Sequence, residues 1–574
     1  MTRAPACLLF VLLAAGASAA AAPGAIRVNQ LGFSPQAHKV AVLPAGAGGE
    51  VQVIDAASGA LAWRGRAKPA ATWKESGEAV MLADFSALTR PGEYRIRADG
   101  AGQSERFAVR AGVYSELNRA ALKAFYFNRS GMALDADHAG PYARAAGHPD
   151  TRVLVHASAA SKARPEGTVI ASAKGWYDAG DYNKYIVNSG ISTYTLLAAF
   201  EHYPGYFARK RTGIPESGNR LPDILDEALW NLEWMLTMQD PHDGGVYNKL
   251  TNERFDGIVM PAQASAEPRY VVRKGTAATL DFAATMATAA RVLKPYERQL
   301  PGLPAKMLRA AEAAWEWARA NPAVAFRNPA GVVTGEYGDA SFDDEFAWAA
   351  AELYISSGKD SYYAAMQPAG VTASVPQWAD VRALAWISLA HHRNSLSAVA
   401  DRKLIAARVD GLAASLAATW RSSAYGVPMQ GGDFVWGSNA VALNQSMMLL
   451  QAYRLNGKRD YLDAAQAGLD YILGRNATGY AFVTGFGTRQ VMHPHHRPSM
   501  AGKVAAPVPG FLAGGPHAGQ QDKGDCKAAY PSALPALSYI DDDCSYASNE
   551  VAINWNAPLV YVSAALDVLG GAGR

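Results

Sequence analysis

Residues 221–236 read LPDILDEALWNLEWML, and their spacing decides most of the fold. Leu221, Ile224, Leu225, Ala228, Leu229, Leu232, Met235 and Leu236 recur at intervals of three and four, which a 3.6-residue period gathers into one stripe. The spacing predicts an amphipathic helix, with Trp230 and Trp234 as core residues. Eleven similar segments are expected near 114–127, 190–202, 277–293, 305–320, 344–357, 359–367, 378–391, 402–420, 439–456, 460–473 and 552–569. Many are Ala-rich and apolar nearly all round, the pattern of helices packed on both sides. Twelve helices joined by long Gly-, Pro- and aromatic-rich loops fit two rings of six, an (α/α)6 barrel. Periodicity alone equally permits an irregular helical domain.

The region 25–110 has a different rhythm. Short β-rich runs at 26–28 (IRV), 39–43 (KVAVL), 51–54 (VQVI), 79–82 (AVML), 93–96 (EYRI) and 106–109 (RFAV) are separated by turn signals such as Pro91-Gly92. Strands at this spacing predict a β-sandwich, Ig-like in architecture only, because no Cys…Trp…Cys framework is present. The chain is therefore read as multidomain: a β-sandwich over 25–110 followed by an all-α domain over 111–574. Ahead of both, Arg3 and the apolar run 7–15 (CLLFVLLAA) precede Ala17-Ser18-Ala19, the pattern of a cleaved signal peptide over 1–22. The mature protein is expected to be secreted or periplasmic. Its two remaining cysteines, Cys526 and Cys544, are then expected to form a disulfide, worth about 3 kcal/mol in the chain-entropy picture.

Of 574 residues, 49% are apolar and 18% charged, so a large core is available. The net charge of +3, without a long run of one sign, argues against nucleic acid and against a polybasic membrane anchor. No CxxC, HExxH, GxSxG or GxxxxGK[ST] pattern occurs, which removes the usual entries to zinc, serine-hydrolase and nucleotide chemistry. Thirteen Trp and 26 Tyr suit an uncharged, hydrogen-bonding ligand such as a sugar polymer.

Two loops carry the candidate chemistry. In 175–184 (GWYDAGDYNK), Asp178 and Asp181 flank Ala-Gly, so a tight turn can aim both carboxylates at one water. The bland alternative is an Asx-turn or helix N-cap pair. Trp176 and Tyr177 beside them offer faces for sugar rings. In 539–557 (YIDDDCSYASNEVAINWNA), Glu550 sits at the mouth of an apolar helix, where partial burial raises a carboxyl toward a general acid's range. Its bland alternative is a favourable interaction with the helix dipole.

These two loops resemble the signatures of glycoside hydrolase family 9, the inverting cellulases, in the branch with an N-terminal Ig-like domain. A third stretch, 483–489 (VTGFGTR) through 494–497 (PHHR), resembles the family's histidine signature, departing at Ala481; Asn-Gln-Leu-Gly-Phe at 29–33 resembles the opening strand of the Ig-like module. The resemblance implies an endo-β-1,4-glucanase in which Asp181 is the general base activating water, Asp178 orients that water and Glu550 is the general acid. Inversion implies roughly 6.5–9.5 Å between acid and base. It further implies that His495 and Arg497 bind substrate hydroxyls and that Asp541 and Tyr546 belong to the site, with a structural pairing of Arg497 to Asp541 as the alternative. Trp436 and Trp555 are candidate sugar platforms, while His493 and His496 read as neighbours.

Some relatives hold calcium at a Ser-x-x-Asp-Glu turn; Ser341, Asp344 and Glu345, with Asp380, offer the oxygens here, and ordinary helix capping is the alternative. No zinc and no cofactor for the chemistry are expected. Two other readings stay open: an exo-acting enzyme on the same scaffold, with segment 505–535 blocking one end of the cleft, and a non-catalytic carbohydrate-binding protein. A monomer is expected, with a β-glucan as partner, and the Ig-like domain, lacking an aromatic strip, is expected to give structural support.

Overall fold

The structure, a computed structural model, describes residues 25–264 and 266–571. The expected signal peptide lies outside the described residues.

Nine strands make the N-terminal sandwich: β1 (Gly32–Phe33), β2 (Val40–Pro44), β3 (Glu50–Asp55), β4 (Leu61–Arg66), β5 (Ala71–Trp73), β6 (Glu78–Asp84), β7 (Gly92–Ala98), β8 (Gly102–Gln103) and β9 (Phe107–Val109). One sheet runs β1-β9-β7-β3-β4, with β8 on β7, and the other runs β2-β6-β5. Alternate residues of both sheets meet inside, where Phe33, Val51, Val53, Ala83, Phe85, Tyr94, Ile96 and Phe107 form the core. The run 26–28 contributes only a bridge from Arg27 to Val42. Strand β4 was not legible because its side chains stay largely exposed and so show no alternation of apolar and polar residues.

The helical domain contains α1 (Ser115–Phe127), α2 (Ile186–His202), α3 (Asp223–Thr237), α4 (Thr276–Leu293), α5 (Leu303–Ala320) and α6 (Asp343–Ser357). It continues with α7 (Asp360–Met366), α8 (Arg382–His392), α9 (Arg402–Ser422), α10 (Ser438–Asn456), α11 (Arg459–Ile472) and α12 (Ile553–Gly571). The even-numbered helices touch in a closed ring, α2-α4-α6-α8-α10-α12-α2, and each odd-numbered helix packs outside it. This alternation is the (α/α)6 barrel, and it explains the two kinds of helix pattern. Ring helices are covered on every side: α4 buries all but one residue from Thr276 to Leu293. The outer helix α9 buries one stripe, Ile405, Val409, Ala413, Leu416 and Ala417, whereas the outer helices α3 and α11 are buried over most of their length. The stretch 221–236 is the outer helix α3, packed on α2. Trp234 in it is fully buried, whereas Trp230 is half-buried beneath the Arg129 guanidinium, 4.6 Å from the ring.

A small sheet braces the barrel mouth. Its strands β10 (Val153–Val155), β11 (Val169–Ile170), β12 (Lys184–Tyr185), β13 (Lys249–Thr251) and β14 (Tyr270–Val271) are ordered β11-β10-β14-β13-β12. Strand β12 ends the Asp178–Asp181 loop, so the pairing with β13 fixes where that loop enters α2.

Candidate active site

Asp178 and Asp181 are 1% and 6% exposed in the loop ahead of α2. Both Asp178 oxygens are held: Asn188 Nδ2 donates to Oδ1 at 2.8 Å and Tyr337 Oη to Oδ2 at 2.7 Å. Asp181 receives Asn183 on Oδ2 alone, through the backbone N–H at 3.3 Å and the side-chain amide. Burial, reinforced by the charge of Asp181, pushes the Asp178 carboxyl up to about 8. Asp178 therefore tends to hold its proton near neutral pH.

Glu550 reaches the same spot from the opposite end of the chain. Gly180 N–H donates to Glu550 Oε1 at 3.3 Å, and Ile553 N–H at the start of α12 donates to the Asp178 carbonyl at 2.9 Å. Glycine is required at 180 because a Cβ there would lie 2.3 Å from the His495 carbonyl oxygen and 3.2 Å from Glu550 Oε1. Glu550 is half-buried by its surface, and desolvation together with the Asp181 charge raises its carboxyl well above the ordinary glutamate range. A carboxyl that favours its protonated form is therefore held on the same turn as the two aspartates, an arrangement suited to general acid and general base work.

The histidine segment lies against this centre. His495 N–H donates to the Asn549 carbonyl at 2.9 Å, and its Nδ1 lies 2.6 Å from the Asp543 carbonyl, which can only accept. Nδ1 therefore carries the proton, and Nε2 is left as an acceptor in the neutral ring that burial favours. Arg497, expected to bind substrate hydroxyls with pairing to Asp541 as the alternative, donates to backbone carbonyls. Its Nη1 donates to the Gly180 carbonyl at 2.8 Å and its Nε and Nη2 to the Asp256 carbonyl at 3.1 and 2.9 Å. It thus clamps the catalytic turn to the 256–257 loop. Asp541 accepts instead from the backbone N–H groups of Met492 and His493, both at 2.9 Å, so it anchors the histidine segment. His496 is buried against Phe511, 4.7 Å between rings.

The aromatic residues divide. Trp436 is 46% exposed, with the Tyr546 ring 5.7 Å away and the His495 ring 6.3 Å beyond Tyr546. Trp555 is 8% exposed and abuts Gly437. Trp176 and Tyr177, read as stacking faces, are corrected. Trp176 is fully buried against Phe125 with its indole N–H on Glu227 at 2.8 Å, and Tyr177 is buried with its hydroxyl 2.9 Å from His148 Nδ1. Neither presents a face to a ligand.

Three supporting residues were missed. Asn183 and Asn188 lie just downstream of the aspartates, where an amide two residues past Asp181 was the available signal. Tyr337 lies 159 residues from Asp178 and had no signal. Its φ of 47°, in the left-handed region rarely adopted by a tyrosine, marks backbone held out of its relaxed state beside the reacting groups.

The Ser341 turn is less converged. Asp344 Oδ2 accepts from Val381 N–H at 2.8 Å and Asp380 Oδ1 from Arg382 Nε at 2.7 Å. Among the described residues, Asp344, Glu345 and Asp380 do not bring three ligand atoms within 4.8 Å of one another. Glu345 Oε2 and both oxygens of buried Asp281 have no hydrogen-bond partner there. Cys526 and Cys544 are joined in a disulfide, with Cα atoms 5.3 Å apart.

Comparison with known proteins agrees with this geometry. Residues 114–563 match the model of glycosyl hydrolase family 9, and residues 21–103 match that of the cellulase N-terminal Ig-like domain. The chain is 45% identical to a xyloglucan-specific endo-β-1,4-glucanase of Bacteroides ovatus, over 95% of this chain and 94% of that one. It is 32% identical to endoglucanase D of Acetivibrio thermocellus, over 94% and 83% of the respective chains. A solved Bacteroides ovatus family 9 structure superposes with a TM-score of 0.89 at 42% identity, covering 95% of this chain and 99% of that one. The chain belongs to glycosyl hydrolase family 9, in the branch that carries an N-terminal Ig-like domain.

Proposed function

We propose that this protein hydrolyses internal β-1,4-glucosidic bonds of a glucan chain with inversion at the anomeric carbon. The observation that carries the reading is the hydrogen bond from Gly180 N–H to Glu550, which sets a carboxyl with a raised pKa against the Asp178–Asp181 pair. Asp181 takes one proton from a water that Asp178 helps to hold. The water oxygen bonds to the anomeric carbon as the glycosidic C–O bond breaks, and Glu550 gives its proton to the departing oxygen. His495 Nε2 accepts from a sugar hydroxyl, and Trp436 and Tyr546 cover ring faces. The retained acids favour an enzyme over a binding protein.

Xyloglucan is the first polymer to try, since the Bacteroides ovatus relative bears that specificity in its name. The apolar run at 7–15 and the Cys526–Cys544 bridge support export to an oxidising compartment. Among the described residues no helix is long and apolar enough to cross a membrane. The protein is proposed to act as a monomer, which its elution volume on size exclusion tests. A structural calcium at the Ser341 turn also belongs to this reading. The unpartnered oxygens of Asp281 and Glu345 are what a hard cation would relieve, although the carboxylates would have to draw together around it.

The deciding experiment follows products from xyloglucan, carboxymethyl-cellulose and cellohexaose, with the anomer read by NMR. Rapid viscosity loss and an initial α-anomer are expected. An initial β-anomer would refute inversion, and single-unit release without viscosity loss would move the enzyme to the exo class.

A further inference from the structure

The hairpin β5–β6 of the Ig-like domain divides its side chains: Met81 and Ala83 fill the sandwich core, while Trp73 and Val80 pack with the barrel domain. Trp73, 4% exposed at the end of β5, packs with the hydrophobic core of the barrel and is absent from the cluster that fills the sandwich. Its ring lies 4.5 Å from that of Tyr425 and 6.1 Å from that of Phe434. The turn after it is bonded to the barrel domain as well: the Glu75 carbonyl accepts Ala536 N–H at 3.0 Å. Glu78 lies 3.4 Å from the Tyr425 hydroxyl.

The segment that Trp73 touches leads to the cleft. Its near end is pinned by buried Arg475, which donates to the carbonyls of Tyr425 at 2.7 Å and Gly426 at 3.1 Å. At its far end the Phe434 carbonyl accepts Ala518 N–H at 2.9 Å, and two residues later Trp436 stands exposed beside Tyr546. Beyond it, Gly437 has φ 86° and lies against the Trp555 indole, so the backbone turns sharply there. Trp436 is flanked by Tyr546 on one side and is otherwise carried by the turn that follows Phe434. Its orientation is inherited from Phe434, and Phe434 packs on Trp73.

We propose that Trp73, supplied by the Ig-like domain, is a positioning residue for the Trp436 sugar platform and so sets affinity for long glucan chains. The inference rests on the glucanase reading above and gives the N-terminal domain a part in substrate binding beyond support. Trp73 reaches neither the water nor the scissile bond, so its loss should act on binding ahead of the chemical step.

The test compares Trp73→Ala and Trp73→Phe with wild type in the full chain. For cellohexaose, Trp73→Ala should raise KM about tenfold with kcat within about twofold, and Trp73→Phe should restore KM. On a Glu550→Gln background, calorimetry should show the same roughly tenfold loss for cellohexaose and little change for cellotriose. If the alanine variant does not fold, Trp73→Leu, which keeps much of the buried apolar area but no flat ring, is held to the same expectation. An unchanged KM and affinity, or a fall in kcat at constant KM, would overturn the proposal. Wild type that neither cleaves nor binds β-1,4-glucan would instead overturn the glucanase reading.

Discussion

Two groups of acids stand at the starts of ring helices, Asp178 and Asp181 ahead of α2 and Asp344 and Glu345 in the first turn of α6. Both are buried, and as sequence both are short loops rich in Asp or Glu. The first is wired by Asn183 and Asn188 from its own loop and helix and by Tyr337 from 159 residues away, and its Gly180 N–H holds Glu550. The second borders Asp281, whose two oxygens have no partner among the described residues. Burial raises Asp178, Asp281 and Glu345 alike, so a shifted pKa alone does not separate a catalytic group from a structural one. What separates them is convergence. The first group brings Glu550, from the far end of the chain, onto the turn of two aspartates, whereas among the described residues the second leaves Glu345 Oε2 and the neighbouring Asp281 oxygens unpartnered.

The comparison breaks most decisively at the acids themselves. Glu550→Gln and Asp181→Asn should each lower kcat by about 10²- to 10⁴-fold while cellohexaose binding by calorimetry stays within a few-fold. Glu345→Gln should leave kcat nearly unchanged; a comparable loss there would erase the distinction. A smaller effect tests the wiring. Tyr337→Phe removes a donor that holds the Asp178 carboxylate down, so Asp178 should rise further. The step of the kcat/KM profile that belongs to Asp178 should move to higher pH, with a loss of about tenfold in kcat. An unmoved step would mean that the hydroxyl is merely packed there.

The smallest effect belongs to the second group. With calcium at a hundred times its Kd, binding would add about 2.7 kcal/mol of stability, so EGTA should lower the melting temperature of wild type and leave Glu345→Gln unresponsive. Equal melting curves with and without EGTA would assign this group to protonated acids. The pH sign is then fixed: carboxyls raised in the folded state contribute stability below their unfolded values and lose it as pH climbs through the raised ones.

Much of this was legible because periodicity and local motifs are short-range. Each of the twelve expected helical segments overlaps a helix, since the apolar stripe of each depends on neighbours three and four residues away. Asp178, Asp181 and Glu550 announced themselves through adjacent residues. The errors share one cause. Trp176 and Tyr177 sit beside Asp178 in sequence but point into the body of the domain, and adjacency along a loop does not set direction. The alternative pairing of Arg497 with Asp541 likewise does not form, because each meets backbone groups from elsewhere. Tyr337 escaped because nothing local marks a hydroxyl that will meet a carboxylate 159 residues upstream.

The sequence by itself determined the change of period near residue 111, the places of the twelve helices and the chemical identity of the acids. These follow from backbone geometry, side-chain hydrophobicity and ionisation, all properties of a residue and its near neighbours. Tertiary structure alone decided that the ring closes, that Gly180 lets Glu550 approach the aspartate pair, and that a tryptophan of the sandwich is buried against Tyr425 and Phe434 of the barrel domain. Those outcomes depend on contacts spanning hundreds of residues, where desolvation and hydrogen-bond geometry choose among alternatives that local pattern leaves equal.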